Sequence, residues 1–220
     1  MQQADRAKRR SRTVTDWFRG TFKGLVDPLA DFFNRLGIHP NYMTVAGLVL
    51  NAVGGLLIAT GNVSLGGVFI LIGGPFDALD GAMARRLNQP TRFGAFVDSI
   101  TDRWSEMLIL AGLLYYYVNS GNADAWLYCM LVFFATMGSV MVSYTKSRAE
   151  SLGFDASVGV LTRLERYLIM APALVLNLPW LALWILAIFA NFTALQRTWY
   201  VRRQAYSTEK SEDGGRKPGG

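Results

Sequence analysis

Apolar residues fall in long runs broken only by short polar turns. Six runs approach or exceed the ~20 residues that cross a bilayer as a helix. They are Tyr42 to Thr60, Ser64 to Leu87, Thr91 to Val118, Ala125 to Ala149, Leu161 to Leu178 and Pro179 to Val201. Gly61-Asn62, Asn119 to Asp124 and Asn177 to Pro179 supply turns between them. A water-soluble helical bundle needs a polar outer face on each helix, and these segments have none. The pattern predicts an all-α integral membrane protein with a six-helix transmembrane domain over 42–203. Ahead of it, Phe18, Phe22, Leu25, Leu29, Phe32, Phe33 and Leu36 recur mostly at spacings of three and four, with charged residues between them. This predicts a juxtamembrane amphipathic helix over 17–41, lying in the membrane interface. A basic tail, 1–16, precedes it. A polar, glycine-rich tail, 204–220, ends the sequence and reads as disordered.

Composition sharpens this picture. Of 220 residues, 51% are hydrophobic and only 17% charged, against ~25% charged in soluble domains, and the mean hydropathy is +0.23. A single cysteine, Cys129, excludes an internal disulfide and a thiolate metal cluster, and a single histidine, His39, excludes a His-rich zinc site. A metal held here sits on carboxylates, which favours hard cations. All 22 Lys and Arg lie before Tyr42, between Arg85 and Arg103, between Lys146 and Arg166, or from Arg197 onward, and the three named turns hold none. By the positive-inside rule both termini, and the active-site ends of the helices, face the cytoplasm. The net charge of +6, with Arg6, Lys8, Arg9, Arg10 and Arg12 in the tail, suits anionic membrane lipid. No nucleic-acid partner is expected.

Asp77, Asp80, Asp98, Asp102 and Glu106 lie within or at the ends of apolar helices. An ionised carboxylate at membrane depth is costly unless paired or bound to metal. Asp77 and Asp80 are three apart and share one helix face; Asp98 and Asp102 are four apart and share another. The short connection around Asn88 to Pro90 makes the two helices antiparallel neighbours with the carboxylate pairs facing. Two Mg²⁺ or Mn²⁺ ions would neutralise such a set. Gly73, Gly74, Gly81, Ala82, Ala84 and Gly94 surround it. Gly73 and Gly74 read equally as close helix packing; Gly81 and Ala84, on the Asp77 face, read as space for a ligand, with Arg85 placed to meet a phosphate.

Asp77-x-x-Asp80-Gly81-x-x-Ala84-Arg85, followed by eight residues, Gly94, three residues, Asp98, three residues and Asp102, resembles the signature of the CDP-alcohol phosphotransferase family at every position. Leu36 to Thr44 is similar to that family's entry to its first helix. The resemblance implies six transmembrane helices, a cytoplasm-facing polar cavity and a homodimer. It also implies transfer of a phosphatidyl group from CDP-diacylglycerol to an alcohol, with release of CMP. It assigns Asp77, Asp80 and Asp98 as core metal ligands, and Asp102 as general base that also touches a metal. Gly81, Ala84 and Arg85 would line the CDP moiety, with Thr91, Pro40 and Thr44 as further candidates.

The acceptor has its own signal. Lys146, Arg148, Arg163, Arg166 and Arg197 all fall at the cytoplasmic ends of helices, and such a mouth suits an anionic alcohol. Ser143 to Glu150 and Arg163 to Arg166 also resemble stretches of bacterial phosphatidylinositol-phosphate synthases. In that branch the residues matching Lys146, Arg163, Arg166 and Arg197 belong to an acceptor-phosphate pocket. The expected acceptor is an inositol phosphate, with glycerol 3-phosphate the alternative on charge alone. A cation transporter is the more distant alternative, since intramembrane Asp residues also mark ion pathways, but the outer halves of these helices hold almost nothing ionisable. A scaffold with a decayed site would have lost a ligand of the signature, and none is missing.

Overall fold

The computed structural model describes residues 26–86 and 91–215, with no account of the side chains of Asp77, Ala78 and 208–215. Every regular element among them is helical. Residues 26–35 form α1, and α2 (Pro40–Ala59), α3 (Val63–Arg86), α4 (Arg92–Val118), α5 (Ala125–Ser151), α6 (Arg163–Val175) and α7 (Pro179–Gly215) follow. Four of them contain stretches long and apolar enough to cross a bilayer: Pro40–Ala59, Val63–Arg86, Ala125–Ser151 and Pro179–Ser207. The molecule is an α-helical membrane protein. The two remaining predicted spans differ for separate reasons. α4 is long, but carries Arg92, Asp98, Asp102, Arg103 and Glu106. α6 has only 13 residues, about 20 Å of helix, against a ~30 Å hydrocarbon layer.

Helices α2 to α7 form two groups of three. α2 packs on both α3 and α4, and α7 packs on both α5 and α6; α3 meets α6 and α4 meets α5 across the middle. Two successive glycines allow α2 its double contact. A Cβ on Gly54 would lie 2.9 Å from the Gly66 carbonyl of α3, and one on Gly55 would lie 2.7 Å from the Leu108 carbonyl of α4. Such backbone-to-backbone approach is how membrane helices gain packing energy where lipid offers no hydrophobic drive. Among the described residues the backbones of α3 and α4 approach each other little, and α2 packs against both.

Ile58, Ile70, Leu110, Leu113, Leu174, Leu183 and Leu186 form the centre of a shared buried cluster. A second, smaller cluster joins Val26 and Ala30 of α1 to Met43 of α2 and Leu79, Ala82 and Met83 of α3. Arg86 closes it with ion pairs to Asp31 and, at 3.3 Å, to Asp27. The predicted amphipathic helix is thus docked on the bundle by one face, while Leu29, Phe32 and Leu36 stay exposed. Its first part, 17–25, lies outside the described residues.

α7 continues to Gly215, twelve residues past 203. The segment from Gln204 to Asp213 holds no proline or glycine, and a helix already nucleated propagates cheaply through Ala, Glu, Gln and Lys.

Candidate active site

The approach to the aspartate motif is set by a proline. Pro75 has no N–H and cannot bond the Leu71 carbonyl one turn earlier, so α3 carries a break two residues before Asp77. The Tyr167 hydroxyl of α6 enters that break. It donates to the Ile70 carbonyl at 2.7 Å, with the Leu71 carbonyl at 3.0 Å, and accepts from the Gly74 N–H at 3.2 Å. Unsatisfied backbone groups cost several kcal/mol each in a bilayer interior; the carbonyl that Pro75 leaves open is that of Leu71, and the hydroxyl shares its single proton between it and the Ile70 carbonyl. Gly74 is required here, since a Cβ would overlap the Tyr167 ring.

Beyond the break, Asp80 is 6% exposed and accepts a hydrogen bond from the Thr44 hydroxyl of α2. Thr44 is held at this height by the start of α2, where His39 caps the helix through Nδ1 to the Asn41 N–H and Pro40 occupies the first turn. The single histidine is therefore a cap. The signature glycines split by environment. Gly73 packs against Asn51 and Gly74 against Tyr167, whereas among the described residues a Cβ on Gly81 would meet the Arg85 guanidinium at 3.2 Å, and one on Gly94 the Thr91 hydroxyl at 3.0 Å, each within its own segment. Ala84 is half-buried and Arg85 exposed. Thr91 caps α4 by accepting from the Gly94 N–H at 2.9 Å.

Asp98 and Asp102 follow on α4, both partly buried. The Asp77 side chain lies outside the described residues, and among the described residues no three metal-binding side chains come together. The donors present are nonetheless all carboxylates at one end of α3 and α4, the chemistry a hard divalent cation takes.

Beside Asp102 opens a cavity of about 390 Å³ between α4, α5, α6 and α7. Of the five predicted acceptor cations, Lys146, Arg163, Arg166 and Arg197 line it. Arg148 does not: it is exposed and turns to Ser151 of its own helix. Arg103 takes its place in the lining, together with Asp102, Glu106 and Glu150. Arg163 pairs with Asp102. Arg166, 1% exposed, holds Glu106 by two parallel bonds, Nε to Oε1 at 2.7 Å and Nη2 to Oε2 at 2.8 Å. Lys146 lies 3.7 Å from Glu150. Arg103 and Arg197 instead donate to carbonyl oxygens: Arg103 to Ser99, and Arg197 to Val142 at 2.6 Å and Val158 at 2.8 Å.

Arg197 thereby pins the loop after α5 onto α7. Gln204 adds a second clasp, accepting from the Asp155 N–H at 3.1 Å and donating to the Asp155 carbonyl at 2.5 Å. Hydrogen bonds from Ser157 hold the Asp155 carboxyl below the usual carboxylate range.

Four participants are not singled out by any motif or spacing in the sequence: Arg86, Arg103, Tyr167, and Glu106 as the partner of Arg166. Only Arg103 carries a usable signal, one residue beyond Asp102.

Known proteins resemble this chain in sequence and in fold. The family model for CDP-alcohol phosphatidyltransferase matches residues 37–196. The archaetidylinositol phosphate synthase of Methanothermobacter thermautotrophicus is 34% identical over 197 residues, covering 87% of this chain and 95% of that protein. The phosphatidylinositol phosphate synthase of Mycobacteroides abscessus is 33% identical over 192 residues, covering 84% and 86%. Two crystal structures of the Mycobacterium tuberculosis phosphatidylinositol phosphate synthase share the fold at 30% identity. One, with manganese and citrate, has a TM-score of 0.74 over 80% of this chain and 88% of its own. The other, with CDP-DAG bound, has a TM-score of 0.73 over 80% and 92%. With its signature complete and its helices superimposable on a family member, this chain belongs to the CDP-alcohol phosphatidyltransferase family.

Proposed function

We propose that this protein transfers the phosphatidyl group of CDP-diacylglycerol to a hydroxyl of an inositol phosphate, releasing CMP and forming phosphatidylinositol phosphate. The charge balance of the cavity beside Asp102 carries the reading. Five basic side chains face three carboxylates. Three of the cations have carboxylate partners; Arg103 and Arg197, among the described residues, bond only carbonyls. Two positive charges without matching carboxylates suit a phosphomonoester, which carries a charge near −2 at neutral pH. Free inositol offers them hydroxyl acceptors but no negative charge. Two relatives that are synthases of inositol phosphate lipids support the same acceptor.

In this reading Asp77, Asp80, Asp98 and Asp102 would hold two divalent cations, Mg²⁺ or Mn²⁺; the manganese in the M. tuberculosis enzyme supports the assignment. Such ions, when bound, neutralise the diphosphate and polarise the phosphorus under attack. The chain's own residues do the rest. Gly81 and Ala84 leave room for the CDP moiety and Arg85 meets its phosphate, with Thr91, Pro40 and Thr44 at the margins. Thr44 also orients Asp80. Arg163 and Arg103 draw in the acceptor phosphate, with Lys146 beside them. Arg166 and Arg197 form the cavity's buried floor. Asp102 accepts the proton of the attacking hydroxyl, and Arg163, its ion-pair partner, links proton acceptor to acceptor phosphate.

α4 and α6 complete six spans. Their ionic residues pair with each other and line the cavity, which removes the cost of placing them in the bundle. The basic residues put both termini and the cavity on the cytoplasmic side, α1 lies at that interface, and the working unit is a homodimer. Thin-layer analysis of products from the purified protein with CDP-diacylglycerol tests the acceptor directly. Preference for glycerol 3-phosphate would keep the anion pocket and change the product.

A further inference from the structure

We propose that Tyr167 is a positioning residue of the catalytic centre: its hydroxyl replaces the backbone hydrogen bonding that Pro75 removes from α3, and so sets where α3 carries Asp77 and Asp80. The inference rests on the function proposed above.

Three observations converge on it. The hydroxyl reaches the Leu71 carbonyl that Pro75 leaves without its donor, at 3.0 Å, and the neighbouring Ile70 carbonyl at 2.7 Å, while accepting from the Gly74 N–H at 3.2 Å. The glycine beside the proline leaves the space that the Tyr167 ring occupies. The break stands two residues before Asp77 and five before Asp80, so a small change in bend there is carried directly into the carboxylates. A proline inside a helix removes one backbone hydrogen bond and favours a bend at that point. Tying the break to α6 fixes one bend. Tyr167 also follows Arg163 by four residues and Arg166 by one, which makes α6 the element that registers the acceptor cations against the aspartates. Retained flexibility would cost more here than elsewhere, since sub-ångström placement of ligands and reacting groups governs both metal affinity and rate.

The test uses the full-length protein in detergent or nanodiscs. Binding of Mn²⁺ alone is followed by electron paramagnetic resonance, and hydrogen exchange across residues 70–80 is followed without metal. Tyr167→Phe keeps the ring and removes the hydroxyl. It is expected to weaken Mn²⁺ binding by about fivefold or more and to speed exchange across the break. The acceptor KM should stay within about twofold, because the cavity residues are untouched. Pro75→Ala restores the missing N–H, so Tyr167→Phe made in that background should lose much less.

Unchanged Mn²⁺ affinity in Tyr167→Phe would overturn the proposal, including the case where exchange alone speeds up, which would leave the tyrosine a purely structural role. An equal loss with and without Pro75 would overturn it too. If Tyr167→Phe does not fold, recovery of folding by Pro75→Ala supports the proposal and failure to recover contradicts it. A wild-type protein that neither binds Mn²⁺ nor transfers would instead defeat the functional reading, and the exchange measurement would still judge the role of Tyr167 at the break.

Discussion

Glu106 and Arg166 hold each other by two parallel hydrogen bonds of 2.7 and 2.8 Å, across the gap between α4 and α6. Arg166 is 1% exposed, so this pair lies inside the helix bundle. Removing one partner of a buried ion pair leaves the other charge uncompensated, which costs about 3–5 kcal/mol. Glu106→Ala should therefore lower the unfolding midpoint of the purified protein sharply and cut folded yield. Glu106→Asp should restore part of the loss. A midpoint within about 1 °C of wild type for Glu106→Ala would show that the pair is not structural.

Because Arg166 is tied up in this way, it is a poor probe of acceptor binding. Arg103 and Arg163 are better. Arg103→Ala removes a cation whose hydrogen bond goes only to the Ser99 carbonyl. Charge-assisted contacts are worth about 1.5–3 kcal/mol, so the KM for inositol phosphate should rise about tenfold or more. The KM for CDP-diacylglycerol should barely change. Steady-state kinetics in mixed micelles separates the two constants, and equal increases in both would argue against a dedicated acceptor pocket.

Asp102→Asn tests proton removal. The variant should bind CDP-diacylglycerol but lose transfer by ~10²-fold or more, the usual scale for loss of a general base. Near-normal turnover would transfer that role to another group. Arg163→Ala, which removes the ion-pair partner of Asp102, should raise the acceptor KM and slow turnover together, unlike Arg103→Ala.

Two glycines from the same chain should respond in opposite ways. Gly55→Ala places a methyl 2.7 Å from the Leu108 backbone oxygen, where nothing can move aside without shifting α2 from α4. Overpacking of this kind costs about 1–3 kcal/mol, seen as a lower unfolding midpoint. Among the described residues, Gly81→Ala meets the flexible end of Arg85 alone. Its stability should match wild type, while its KM for CDP-diacylglycerol rises. Thermal denaturation with kinetics on both variants distinguishes packing from ligand space.

The legibility of this protein divides along physical lines. Helix positions were readable because hydropathy is a local property: the predicted 125–149 run and the observed Ala125–Ser151 differ by two residues at one end. The aspartate motif was readable because its spacing encodes shared helix faces. Arg148 misled because position at a helix end gives the side of the membrane and not the direction of the side chain. Pairings between distant helices left no periodic trace. Tyr167 lies 92 residues beyond Pro75, and an aromatic residue in an apolar run reads as a lipid contact until the break it fills is seen. The close packing of α2 on both α3 and α4 was hidden for a related reason: only the structure shows that Gly54 and Gly55 admit the backbones of the two helices.

The most direct test of the account is product analysis with the purified protein, CDP-diacylglycerol and three acceptors: inositol phosphate, inositol and glycerol 3-phosphate, each with Mg²⁺ and with excess EDTA. The account predicts CMP release matched by phosphatidylinositol phosphate only with inositol phosphate and metal, little product from free inositol, and none in EDTA. Equal use of inositol and inositol phosphate, or full turnover in EDTA, would contradict it.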